Sequence, residues 1–260
     1  MIKKYIVACL LCISTVITST KNSSIKAIFI DIETLFETHD MKASKYIGKI
    51  DALRYLKQVG HLPNQNDLFK NLTGVSAQST LTTYNNKLVM PLILSDWLLN
   101  VEPTTHLLKK SLLFIEKSRL SDIEKRVLSN IIKMMMDPAK LVDTQQVVST
   151  TEKLIKLLIS NGYKVYLVGN WAHKNSLQKE FHKTLQSLHG IYLSGQLHLI
   201  KPYQEFYNTV LEKTAFDTNQ SIWIEKEAYF TNKAKSYGLQ ALTYNKHSII
   251  QDLKALQIKI

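Results

Sequence analysis

Apolar residues along this chain follow two rhythms, and the change between them locates its architecture. Residues 25–30 form a short, mostly apolar run ending at Asp31, the pattern of a buried strand with an acid at its carboxyl end. The next such run, 165–168, comes more than 130 residues later. Between them the spacing is helical throughout. Apolar positions recur at Ile47, Ile50, Leu53 and Leu56, predicting a helix over 43–59 that ends near Gly60. Similar spacing predicts helices over 105–116, 121–136 and 147–161, with Ser121, Pro138 and Gly162 as caps or breakers. Met134, Met135 and Met136 read as adaptable core filling.

After Gly162 strands and helices alternate. Strands are predicted over 164–168, 191–193, 221–224 and 239–243, and helices over 173–188, 203–213, 228–237 and 248–256. Alternation of this kind predicts an α/β, Rossmann-like fold, a parallel sheet covered by helices on both faces. The first strand must join that sheet. Residues 21–37 and 150–260 therefore form the core, and 38–149 form a helical cap inserted after the first strand. Such a cap sits above the carboxyl edge of the sheet, where open α/β sheets bind ligands.

The first twenty residues stand apart. Lys3 and Lys4 precede a mostly apolar run over 5–17, followed by the small polar residues Thr18, Ser19 and Thr20. This is the layout of a secretory signal peptide over 1–20, with an ordinary buried first element as the alternative. It predicts an exported protein, periplasmic or secreted, beginning between about Ser19 and Ser24. The run is shorter than the about 20 apolar residues a membrane-crossing helix needs, so no transmembrane span is expected. Ile6-Val7-Ala8-Cys9 resembles a lipoprotein cleavage box, but the apolar stretch continues beyond it, and a lipid anchor at Cys9 is the weaker reading. Both cysteines, Cys9 and Cys12, lie in this segment. Its removal would leave no thiol for disulfides, metal binding or nucleophilic catalysis.

The net charge is +12, or +10 without Lys3 and Lys4, and the only arginines are Arg54, Arg119 and Arg126. Nucleic-acid readers usually cluster their basic residues and use Arg for bidentate contacts. Here Lys is scattered along every predicted helix, so no nucleic-acid partner is expected. The charge favours anionic substrates or membrane surfaces by long-range attraction. His173, His182 and His189 are spaced along one predicted helix but carry no accompanying acids, which argues against zinc.

Four short segments fall at the predicted carboxyl edges: Asp31-Ile32-Glu33-Thr34-Leu35-Phe36, Gly169-Asn170, Lys201-Pro202 and Glu225-Lys226. Together, and in this order, they resemble the four signatures of the haloacid dehalogenase (HAD) superfamily. The stretch from Leu193-Ser194-Gly195 through Lys201-Pro202 to Tyr207 is the closest match. The resemblance implies a HAD-like hydrolase core over about 25–36 and 162–245, with an Asp nucleophile that forms an aspartyl-phosphate. It implies Asp31 as nucleophile and Glu33 at the place of the general acid. Asn170 and Lys201 would bind phosphate, and Asp31 with Glu225 would hold Mg2+. The expected ligand is a small phosphorylated substrate.

Three positions depart from the pattern. Glu33 replaces an Asp, or by an equally fair alignment with one residue deleted no acid stands there at all. Gly169 stands where a hydroxyl belongs, and Lys226 stands where a second acid often follows. An inward Lys226 would oppose a divalent cation, whereas an outward one would leave Asp31 and Glu225 able to bind it weakly. The leading expectation is a phosphatase scaffold with weak or lost activity. An active Mg-dependent phosphomonoesterase and a non-catalytic binding protein are the alternatives.

Overall fold

The computed structural model describes residues 25–61 and 92–260, so the predicted signal peptide lies outside the described residues. Five strands form one parallel sheet: β1 (Ala27–Asp31), β4 (Lys164–Gly169), β5 (Gly190–Leu193), β6 (Ser221–Glu225) and β7 (Gln240–Thr243). Their order is β5-β4-β1-β6-β7, which puts β1 at the centre. The chain fills one side of β1 and then crosses to the other, so a topological switch lies between β1 and β6, the place where such sheets bind ligands.

Side-chain alternation along the strands divides the core into two layers. Ile28 and Ile30 face one way with Val165, Leu167, Ile222 and Ile224, under Leu154, Ile155 and Leu158 of helix Ser149–Ser160. Ala27 and Phe29 face the other way with Val168 and Trp223, under Phe206, Tyr207 and Val210 of helix Gln204–Thr214. Phe29 stacks on Trp223 with ring centres 4.4 Å apart. Burial on both faces explains why β1 reads as a continuous apolar run.

The insert is not helical throughout. Strand β2 (Phe36–Thr38) pairs antiparallel with β3 (Gln145–Val147) and clasps the two ends of the insertion together. The helix predicted over 43–59 is two, Asp40–Ile47 and Lys49–Val59, broken at Gly48 with φ 92°. The helix predicted over 173–188 also divides, into Lys174–Glu180 and His182–Leu185. The break falls at Phe181, whose ring turns to pack 4.6 Å from that of Phe36. His173 and His182 therefore lie on separate elements, and His189 lies beyond both, its Nδ1 accepting from the Val165 N–H at 3.2 Å.

Helices Leu92–Leu99, Thr104–Lys117 and Asp122–Met135 build the cap around Leu94, Leu107, Val127 and Ile132. Ser121 starts the last of these with a capping box to Glu124, satisfying amides that would otherwise be orphaned. The cap's apolar cluster also takes in Ala172 and Ile200, which belong to loops at the carboxyl edge of the sheet. Asn100 fastens the two together, its Nδ2 donating to the Gly195 carbonyl at 2.9 Å and to the Ala172 carbonyl at 3.3 Å. Among the described residues no helix is long and apolar enough to cross a membrane.

Candidate active site

Asp31 is the last residue of β1, at the point where the chain leaves the sheet. Its backbone is still extended, and its side chain caps the short helix Ile32–Leu35 by accepting from the Glu33 N–H at 3.4 Å. Thr34 completes the turn, its hydroxyl donating to the Asp31 carbonyl at 2.7 Å. Asp31 thus caps this short helix from its place in the site.

Lys201 and Glu225 meet Asp31 at this edge. The Lys201 ammonium lies 2.9 Å from Asp31 Oδ2 and 2.5 Å from Glu225 Oε2. All three side chains are buried, Asp31 and Lys201 at 1% exposure and Glu225 at 0%. The same ammonium stands 4.7 Å from the centre of the Phe230 ring, a cation–π contact that helps replace lost hydration. Burial pulls the Lys201 pKa down, but the Asp31 and Glu225 charges outweigh it and hold the ammonium above its ordinary range. Glu225 moves up, to about 7, because burial outweighs the attraction of Lys201 and the Asp31 carboxylate adds repulsion. Its Oε1 is buried with no hydrogen-bond partner, so that oxygen does nothing to offset the cost of burying the charged form.

Asn170 is committed to the backbone of Lys201. Its Nδ2 donates to the Lys201 carbonyl at 3.1 Å, and its Oδ1 accepts from the Lys201 N–H at 2.9 Å. This two-way clamp fixes the loop that delivers the ammonium. Ser194, fully buried, holds the neighbouring loop by accepting from the Trp171 N–H at 2.9 Å.

Gly169 has φ 149°, and a Cβ there would come within 2.6 Å of Ile32 Cγ2 and 2.9 Å of Asp31 Oδ1. The space that a hydroxyl side chain would need is filled by the start of the first loop. The glycine is thus part of the packing around Asp31 as well as a missing donor.

Lys226 contributes its backbone, whose N–H donates to Asp31 Oδ2 at 3.3 Å. Its side chain is exposed, with the ammonium 5.9 Å from the Tyr244 ring centre, so the outward alternative holds. Glu33 retains an exposed surface although protein surrounds it, as for a side chain lining a recess. Its pKa is raised, first by desolvation and then by the Asp31 charge; water at the exposed surface tempers the first cause, whereas the second persists.

The sequence motifs do not single out Phe230, and they include Tyr207 only as the end of the third segment, with no role at the site. Phe230 lies on helix Ala228–Ser236, and only the folding of that helix over the loop brings it to Lys201. The Tyr207 hydroxyl is buried without a hydrogen-bond partner, and burial followed by the Glu225 and Asp31 charges pushes its pKa up. Phe230 carries no spacing signal, because apolar packing positions look alike in a sequence.

Comparison with protein-family models finds no match, and comparison with curated proteins finds none either. Solved structures do match. A dehalogenase is similar with a TM-score of 0.56 and 14% identity, covering 91% of this chain and 99% of that one. A HAD-like family hydrolase from Porphyromonas gingivalis gives a TM-score of 0.55 at 11% identity, covering 90% of this chain and 99% of that one. A HAD family enzyme from Bacteroides thetaiotaomicron gives 0.55 at 14%, covering 89% and 98%, and is also known as a magnesium complex. With a central β1, an inserted helical cap and these neighbours covering 89–91% of the chain, the fold is HAD-like.

Proposed function

We propose that this chain is an exported protein on a HAD-type phosphatase scaffold whose magnesium-dependent hydrolysis is weak or lost. The observation that carries the loss of activity is the burial of Asp31. A nucleophile needs the phosphorus about 3–3.5 Å from its attacking oxygen, with room for an in-line approach. Asp31 is 1% exposed, with Lys201 Nζ and the Lys226 N–H on Oδ2 and the Glu33 N–H on Oδ1. Gly169 supplies no hydroxyl to hold a phosphoryl oxygen, and Asn170 is occupied by the Lys201 backbone.

The donor set fits magnesium poorly. That ion takes near-octahedral oxygen ligands at about 2.0–2.1 Å, usually with one or two carboxylates among them. Asp31 and Glu225 are the two available carboxyls, and one buried ammonium already joins them. Among the described residues no group of three or more His, Cys, Asp or Glu is placed to hold a metal ion. The Bacteroides enzyme is known with magnesium and inorganic phosphate, so a small phosphorylated compound is the ligand class to test.

One observation favours a working phosphomonoesterase instead. The raised pKa of Glu33 suits a group that donates a proton near neutral pH. The two readings separate in one assay, hydrolysis of p-nitrophenyl phosphate by the full chain with and without magnesium, alongside Asp31→Asn. Little turnover that neither magnesium nor the substitution changes is the expected result. Brisk magnesium-dependent turnover abolished by Asp31→Asn would overturn the proposal. Export is tested separately by mass spectrometry of the native protein, where an intact Met1 or a lipid on Cys9 would exclude cleavage near Ser19–Ser24.

A further inference from the structure

The cap carries a surface that its own packing does not explain. Helices Asp40–Ile47 and Lys49–Val59 both pack on helix Asp122–Met135, through Ala43 on the first and Ala52 and Tyr55 on the second. Away from that contact, Met41 is 66% exposed, Ile50 66%, Leu53 64% and Leu56 38%. Ile50 and Leu53 are three residues apart on one helix and so lie side by side on its outer face. Interspersed with them are the exposed cations Lys42, Lys45, Lys49, Arg54 and Lys57. Asp40 and Asp51 are the only acids in residues 40–59; Asp51 is already shared by Arg54 and Arg126, and Lys45 lies 3.8 Å from Asp143.

We propose that this helix pair is a docking surface for an anionic lipid bilayer, with Ile50 and Leu53 entering the interface and the cations meeting the headgroups. Charge complementarity selects an anionic partner, and it opposes a second copy of the same face, where Lys42, Lys49 and Lys57 would meet their own counterparts. The residue types then favour lipid over an acidic protein. Four of the five cations are Lys, which protein interfaces disfavour, and the large exposed residues are aliphatic rather than the aromatic anchors of protein hot spots. Aliphatic side chains flanked by Lys are what a helix lying in a membrane interface presents.

The test uses the full chain with Cys9→Ser and Cys12→Ser, and with Leu53→Cys carrying an environment-sensitive dye. Vesicles of 30% phosphatidylglycerol in phosphatidylcholine should shift the dye emission to the blue. Pure phosphatidylcholine vesicles should not, and 0.5 M NaCl should reverse the shift. Lys49→Gln and Lys57→Gln should each weaken binding about fivefold. The proposal fails if the protein sediments with vesicles while the dye stays in water, since the apolar 5–17 segment would then be what binds. It fails equally if the shift follows protein concentration without lipid, or if soluble polyglutamate produces it and vesicles do not.

Discussion

The Lys201 ammonium lies 2.9 Å from Asp31 Oδ2, with both side chains at 1% exposure. Residues 170 positions apart in the chain thus form a buried ion pair at the centre of the sheet's carboxyl edge, and Glu225 completes it from the next strand. Buried charges persist when each is paired and hydrogen-bonded, and removing one partner leaves the others uncompensated.

Lys201→Met should accordingly lower stability by about 3–5 kcal/mol at pH 7. Urea unfolding of this variant beside Lys213→Met, an exposed position, provides the check. Equal midpoints for the two variants would show that the ion pair contributes little.

The pH dependence has a definite sign. Glu225 is raised from 4.5 to about 7, so the folded state binds its proton more tightly than the unfolded chain does. Stability from this group is present below pH 4.5 and is lost as pH rises towards about 7. Glu225→Gln cannot ionise, so its stability should fall less over that window than the wild type's. Lys201 contributes in the other region, with stability that is present below pH 10.5 and declines above it. Unfolding midpoints measured from pH 4 to 11 test both signs.

Gly169→Ser would return the missing hydroxyl yet should cost about 1–3 kcal/mol, because φ 149° and the Ile32 and Asp31 contacts leave no place for Cβ. No gain in phosphatase activity is expected. A variant with unchanged melting temperature would show that the first loop yields readily.

Asn100 has φ 54°, which glycine adopts without strain, so Asn100→Gly isolates the side-chain latch from the backbone. Loss of its two hydrogen bonds to the core should weaken cap docking by about 1 kcal/mol or more. Hydrogen exchange should then quicken in Leu92–Leu99 while the sheet amides keep their protection. Equal acceleration in β1 would mean that cap and core open together.

The order of elements was legible in the sequence because apolar periodicity reports how each segment is buried. The run before Asp31 and the alternation after Gly162 predict the parallel sheet, and the long helical interval predicts an insert. Breaks set by single packing events were not legible. Phe181 interrupts a helix to reach Phe36, and β2 pairs with β3 across more than 100 residues of chain. The motif residues were legible as types, but their partners were not. Which way Lys226 turns shows only in the fold, where its exposed ammonium lies 5.9 Å from the Tyr244 ring centre, and Asn170 meets the Lys201 backbone only in the folded protein. Gly169 is empty of a hydroxyl in the sequence, but only tertiary packing puts Ile32 and Asp31 into the space that a side chain would occupy. Periodicity is a local property carried by each segment, whereas side-chain direction, burial and charge pairing arise from contacts between segments far apart in the chain.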